Sequence, residues 1–240
     1  MISTGASWLT YSCLIAFTDF PLRCLTGMKD HTEHGLLVLA DISGFTAFVT
    51  ATELEHGPPI IAELLEGVMR QLSPPLEIQE VEGDAVFAIG PERVLVPPAR
   101  LLDVLDGAFV AFRNRQREMQ ADESCSCNVC RNISILSLKI VAHHGRFLRQ
   151  VVGGRGQVAG ADVILAHRLL KNRLVRRQAY LLLTEAALRW AGVDPIRAGL
   201  VAHTERYEYL GDVRCFVRDL GSAGRDRTIG TGSPATALRG

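Results

Sequence analysis

Two aspartates stand where a shared cation site would need them. Asp41 closes the apolar run of "GLLVLADISGFTAF", just before Gly44 opens a helical stretch. Asp84 lies in "IQEVEGDAVFAIG", where two strand-like segments meet at the turn-prone triplet Glu82-Gly83-Asp84. If the two segments are neighbours in a sheet, both carboxylates arrive at one edge. A hard divalent cation such as Mg²⁺ takes such oxygen ligands, together with phosphates and water. Backbone N–H groups at the helix start, through Gly44, Phe45 and Thr46, would add donors for a phosphate. The same residues also suit plain structural work, with Asp41 or Ser43 as an N-cap and Asp84 in an ordinary hairpin turn.

A second constellation is "SCSCNVC", in which Cys125, Cys127 and Cys130 fall between a helix and a strand. Thiolates this close can share a soft or borderline ion such as Zn²⁺. A closed tetrahedral site needs a fourth ligand, for which Cys215, His143, His144 or a second subunit are the candidates. The alternative is three reduced thiols in a loop. Cys13, Cys24 and Cys215 are scattered, so the cysteines form no secreted disulfide framework, and a cytoplasmic protein is expected.

The elements that must position these groups follow from hydrophobic period and punctuation. Residues 36–40 read as a central strand, 58–72 as a helix beginning at proline, and 76–81 with 85–89 as a hairpin. Leu101, Leu105, Ala108 and Phe112 repeat at helical spacing within 99–120. "ISILSLKIVAHHG" and "RFLRQVVGG" read as a strand pair turning at the His-Gly step. "GADVILAHRLLKN" is helical, "AYLLLT" a strand, "EAALRWAG" a short helix, and "RYEYLGDVRCFVRDL" a hairpin through Gly211-Asp212. The order βααββαββαβαββ predicts an α+β sandwich, a mixed sheet with helices mainly on one face.

With 240 residues, 48% of them hydrophobic, the chain can build a substantial core. Its 26 basic and 26 acidic side chains cancel, so no global field draws nucleic acid or anionic membrane. The basic "KNRLVRRQ" stretch lacks aromatic interleaving and reads as a solvated helix end. No apolar run reaches the roughly 18 residues of a membrane span. Residues 1–32 read as an extension, disordered or upstream of a true start near Met28, and 221–240 as a disordered tail around a 33–220 domain.

"LLVLADISGFTAF", "VEGDAVFAIG", "IVAHHGRF", "GQVAGADVILAHRLL" and "YLGDVRCFV" occur in that order over about residues 35–219. This series resembles the class III adenylate/guanylate cyclase catalytic domain, and within that superfamily the DUF2652-type branch. The branch shares "DISGFT", "EGDA", the clustered cysteines and "AHRLLKN". The resemblance implies a ferredoxin-like (nucleotide cyclase) sandwich working as a homodimer, because family active sites form between two domains. It implies that Asp41, Asp84 and the backbone carbonyl of Ile42 hold two Mg²⁺ or Mn²⁺ ions. One ion activates the ribose 3′-hydroxyl, and both neutralise the triphosphate. Arg168 matches the family arginine that contacts the triphosphate in the transition state, and Glu80 and Gln157 match the purine-selecting positions.

The chain departs from that pattern at three places. Ile164 replaces the ribose-orienting Asn, Leu210 replaces a phosphate-binding Lys, and Gln157 is neither the Asp nor the Cys of the purine readers. Lys171, Arg173 and Arg146 are the basic residues available as substitutes. A lost transition-state donor raises the barrier by about 3 kcal/mol, or two orders of magnitude in rate. The expectation is therefore a nucleoside triphosphate-binding domain with weak or degenerate cyclisation. The alternative is a catalytically silent signalling or interaction module stabilised by a cysteine–metal cluster.

Overall fold

Residues 35–40 are buried without a break, and the uninterrupted apolar run has a simple cause: strand β1 (Thr32–Ser43) is covered on both faces. The computed structural model describes residues 32–50, 56–93, 98–121, 127–174 and 179–221. Apart from Thr32 and Gly221, the expected N-terminal extension and C-terminal tail lie outside them. After β1 come helices α1 (Phe45–Thr50) and α2 (Gly57–Leu72), then strands β2 (Glu77–Glu82) and β3 (Ala85–Pro91). Helices α3 (Leu101–Ala121) and α4 (Asn128–Asn132) lead to β4 (Ser137–Val152) and β5 (Arg155–Ala159). Then follow α5 (Ala161–Leu170), β6 (Tyr180–Thr184), α6 (Glu185–Ala191), β7 (Val201–Tyr207) and β8 (Gly211–Asp219).

The strands form one mixed sheet in the order β2-β3-β1-β4-β6-β8-β7, with β5 paired to the far end of β4. The β4–β6 pair is parallel and the others are antiparallel. Leu36, Val38, Ala40 and Ile42 point to the face carrying α2, α3 and α6. Leu37 and Leu39 point to the other, where Val163 and Ala166 of α5 pack. Helices therefore sit mainly on one face, as the sequence suggests, and among the described residues α5 covers the second. Gly192 ends α6 in the left-handed conformation, φ 64°, and its N–H bonds the carbonyls of Arg189 and Leu188.

The expected turn at the His-Gly step is corrected by the structure. β4 runs straight through it for 16 residues, and the chain reverses later, at Gly153-Gly154. Gly145 instead makes room for the start of α5. A Cβ at Gly145 would meet the Asp162 carboxyl at 2.5 Å. Asp162 Oδ2 accepts the Arg146 N–H at 2.7 Å, and its Oδ1 lies 3.2 Å from His143 Nε2. The last hairpin also turns slightly earlier than expected, at residues 208–210, where Tyr209 takes φ 66°.

His143 is buried, with Nδ1 2.9 Å from the Thr184 hydroxyl. Burial holds its pKa below the usual histidine value, against the opposing pull of Asp162. The unfolded chain therefore takes up this proton more readily than the folded one. Stability from this site is complete above the unfolded value, about 6.5, and is lost as pH falls toward the lower folded value. Thermal denaturation across this range is expected to show the melting temperature dropping, with a shallower slope for His143→Gln. Gly145→Ala, which drives a methyl into Asp162, is expected to lower stability by about 1–3 kcal/mol in denaturant titration.

Candidate functional site

The end of β1 is held between two neighbours. Asp41 is in register with Ala85 of β3 on one side and with Lys139 of β4 on the other. The Ile42 N–H donates to the Asp84 carbonyl at 3.0 Å, which fastens the β2–β3 turn to the end of β1. A strand residue presents its N–H and C=O to the same side, so the Ile42 carbonyl also faces that turn. Strand alternation sends Asp41 to the α5 face. Lys139, beside it on that face, places Nζ 2.6 Å from Asp41 Oδ2.

Burial raises the Asp84 pKa, and the negative charge of Asp41 raises it further, against an opposing effect of Lys139. The two carboxylates thus sense one another, as the sequence requires of a shared site. Among the described residues Lys139 pairs with Asp41, and no ion pair is formed by Asp84. This set of hard oxygen donors suits Mg²⁺ or Mn²⁺, and Lys139 is the cation paired with Asp41 in this structure. Sequence reasoning missed Lys139. Its only signal is a charge inside the apolar strand "LSLKIVA".

Gly44 follows with φ +88°, and a Cβ there would sit 3.1 Å from the Ile135 carbonyl. Glycine thus permits both the turn and the close approach. The first helical bond of α1 runs from the Phe48 N–H to the Gly44 carbonyl at 2.9 Å. The N–H groups of Phe45 and Thr46 precede it, next to the Asp41 end of β1.

The remaining expected site residues divide into two groups. Glu80 is exposed on edge strand β2 and pairs with Phe87, itself opposite Leu39, so it stays near the aspartates. Gln157 pairs with Gln150, 11 residues along β4 from Lys139, or about 35 Å at strand rise. Arg168 and Ile164 share the exposed face of α5, while Val163, Ala166 and Leu169 pack inward. The Arg168 carbonyl accepts from the Tyr207 hydroxyl of β7 at 3.0 Å. Arg168 forms no ion pair with a carboxylate among the described residues. Of the proposed substitutes, Arg146 lies at Gly145 opposite His34, well along β4 from Asp41, and the Arg173 N–H is bound to Glu205 at 2.9 Å. Lys171 is exposed at the end of α5, and Leu210 lies in the β7–β8 turn.

Cys125 lies outside the described residues. Cys127 and Cys130 bracket the first turn of α4, their sulfurs 3.6 Å apart. The three fourth-ligand candidates are elsewhere. His143 is bound to Thr184 and Asp162, His144 stacks on Trp190 at 5.1 Å, and Cys215 is buried among the α5-side residues. His56, just before α2, takes their place, with Nδ1 3.1 Å from Cys127 Sγ.

The family model described as "Protein of unknown function (DUF2652)" matches residues 61–180. The uncharacterized protein Rv2561/Rv2562 of Mycobacterium tuberculosis is 31% identical over 169 residues, spanning 68% of this chain and 74% of that protein. The chain belongs to the DUF2652 family. The fold of this DUF2652 protein is that of nucleotide cyclase domains. The adenylyl cyclase CyaB from P. aeruginosa superposes with a TM-score of 0.60 at 14% identity, over 81% of this chain and 100% of that one. The guanylyl cyclase Cya2 gives 0.57 at 13%, over 78% and 92%. The guanylate cyclase domain of RhGC from Catenaria anguillulae, in complex with GTP, gives 0.52 at 13%, over 77% and 95%. Among the described residues, no helix is long and apolar enough to cross a membrane.

Removing the ammonium from the carboxylate pair should expose its appetite for cations. Lys139→Met is expected to show a larger Mn²⁺-induced rise in melting temperature than the unmodified protein, because Mn²⁺ no longer competes with Nζ. The response should weaken at acid pH, where protons compete at Asp84. A thermal-shift titration with no Mn²⁺ response in either protein would show that these carboxylates take no cation.

Proposed function

We propose that this DUF2652 protein binds a nucleoside triphosphate with Mg²⁺ or Mn²⁺ and, as a cytoplasmic homodimer, converts it slowly to the 3′,5′-cyclic nucleotide. The observation that supports this reading is the bond from the Ile42 N–H to the Asp84 carbonyl, which fastens the β2–β3 turn to the Asp41 end of β1 beside Gly44, in a fold shared with nucleotide cyclase domains. Divalent ions bound there would supply charge neutralisation for the triphosphate and a lowered pKa for the attacking ribose hydroxyl. Asp41 and Asp84 would hold them, and the N–H groups of Phe45 and Thr46 would orient phosphate oxygens.

Arg168 is the residue that would stabilise the triphosphate in the transition state. It faces outward on α5, with no carboxylate partner among the described residues. A second copy would present its own α5 to the Asp41–Asp84 edge, which is why the reading requires a dimer. Gln157, about 35 Å along the strand from Lys139, would likewise reach a purine only across such an interface. Glu80, near the aspartates, would read the base from the other side. The aliphatic side chains of Ile164 and Leu210 have no hydrogen-bond donor to offer the substrate, and the reaction would be slow for that reason.

One observation favours a second reading, in which the domain is a silent signalling or interaction module. Lys139 Nζ stands 2.6 Å from Asp41 and already supplies a positive charge there. Incubating the purified protein with Mn²⁺ and either ATP or GTP, and measuring cyclic product by mass spectrometry, separates the two. The enzyme reading expects product that disappears in Asp41→Ala and in Arg168→Ala, and returns when these two inactive variants are mixed. Bound nucleotide without product establishes the silent module. Absence of nucleotide binding defeats the site altogether.

A further inference from the structure

The three donor atoms at the start of α2 and α4 are grouped as ligands would be. His56 Nδ1, Cys127 Sγ and Cys130 Sγ all lie within 4.8 Å of one another. Cys127 Sγ is 3.1 Å from the imidazole nitrogen and 3.6 Å from Cys130 Sγ. Zinc–sulfur bonds of about 2.3 Å and zinc–nitrogen bonds of about 2.0 Å on a tetrahedral ion put neighbouring ligands roughly 3.5–3.8 Å apart. The sulfur pair, at 3.6 Å, already has this separation and is far beyond the roughly 2.05 Å of a disulfide, while the nitrogen–sulfur pair, at 3.1 Å, is somewhat closer and would open slightly around an ion. From these positions we infer that His56, Cys127 and Cys130 form a structural zinc site, independent of the nucleotide reading.

The surroundings preorganise the ligands. Cys127 is the N-cap of α4, with φ −65° and ψ 163°, and its sulfur accepts the Cys130 N–H at 3.5 Å. Such an N–H···S contact fixes the direction of the thiolate lone pairs. Buried Gln116 of α3 donates from Nε2 to the carbonyls of Ile133 and Leu136, both at 2.7 Å, and so holds the segment that follows α4. All three ligands are half-buried, and Cys127 packs against the main core. Soft thiolates with an imidazole select Zn²⁺ over the hard ions suited to Asp41 and Asp84. Three protein ligands leave one tetrahedral position for a further donor.

Such an ion would join two segments 71 residues apart in sequence. One is the residue that precedes α2, and the other is the connection from α3 to β4. The site lies on the α2–α3 side of the sheet, so it would brace the frame behind the carboxylate edge without touching nucleotide.

The test uses the full chain purified under reducing conditions without added chelator. Elemental analysis is expected to find a single zinc per chain, retained through gel filtration. His56→Ala and Cys127→Ser should lose it, while Cys215→Ser, which removes a thiol on the opposite face, should keep it. Because a zinc-free variant can fail to fold, the unmodified protein is also stripped and refilled with Co²⁺. Thiolate-to-cobalt charge-transfer bands with intense tetrahedral d–d absorption are the expected signature, together with a melting temperature that falls on stripping and recovers with zinc. Three outcomes would overturn the site: a folded, zinc-free protein that takes up no Co²⁺, a Co²⁺ spectrum without thiolate bands, or unchanged zinc in a folded His56→Ala variant.

Discussion

The two-sided burial of β1 governs the placement of everything else. Leu36, Leu37, Val38, Leu39 and Ala40 are all essentially inaccessible, alternating between the α2–α3 side and the α5 side. A slip of one residue would exchange the two sets and turn Asp41 from the α5 face into the helical core. With polar residues at either end of the run, that slip is strongly disfavoured. β3 and β4 then lock onto β1, and their registers bring Ala85 and Lys139 level with Asp41. The acidic edge is thus a consequence of core packing, and side chains in the core set its geometry.

That edge is electrostatically unfinished. Among the described residues Asp41 forms an ion pair with an ammonium and Asp84 forms none, and burial beside the Asp41 charge raises the Asp84 pKa against the weaker opposing effect of Lys139. A partly buried pair of carboxylates is stable only with positive charge nearby. One lysine offsets half of it. The arrangement therefore has two ways to reach neutrality, a proton on Asp84 or an additional cation. This opposition links the structural role of Lys139 to the functional role proposed for the aspartates.

The second face of the sheet has a different character. α5 packs through Val163, Ala166 and Leu169 and turns Ile164 and Arg168 outward. Its N-terminal end is held by Asp162, which reaches His143 and the Arg146 N–H across the space that Gly145 leaves open. An aliphatic side chain and a guanidinium with no carboxylate partner among the described residues are thus displayed one helical turn apart.

Much of this was legible in the amino-acid order, because period and punctuation are local. The order of the strands and of every helix except short α4, the hairpin at Gly83, the proline-started α2 and the glycine stop of α6 all follow from residues within a turn or two of each other. The ordered motifs around Asp41 and Asp84 likewise point to the cyclase-like fold. Local reading failed where a distant segment decided the outcome. Gly145 looked like a turn because glycine is usually read as backbone freedom, whereas here it is space for a carboxylate 17 residues later. His56, just ahead of the proline-started helix, carries no such signal, while His143, His144 and Cys215 looked equally eligible beside the cysteines. Only the packing of α2 against α3 brought one of them to Cys127 and carried the others to different faces. Lys139 became the counter-charge of Asp41 through strand register. Sequence determines which side chains are present and which local element each occupies. Contacts across tens of residues depend on how the sheet and its helices pack, and only the tertiary structure decides them.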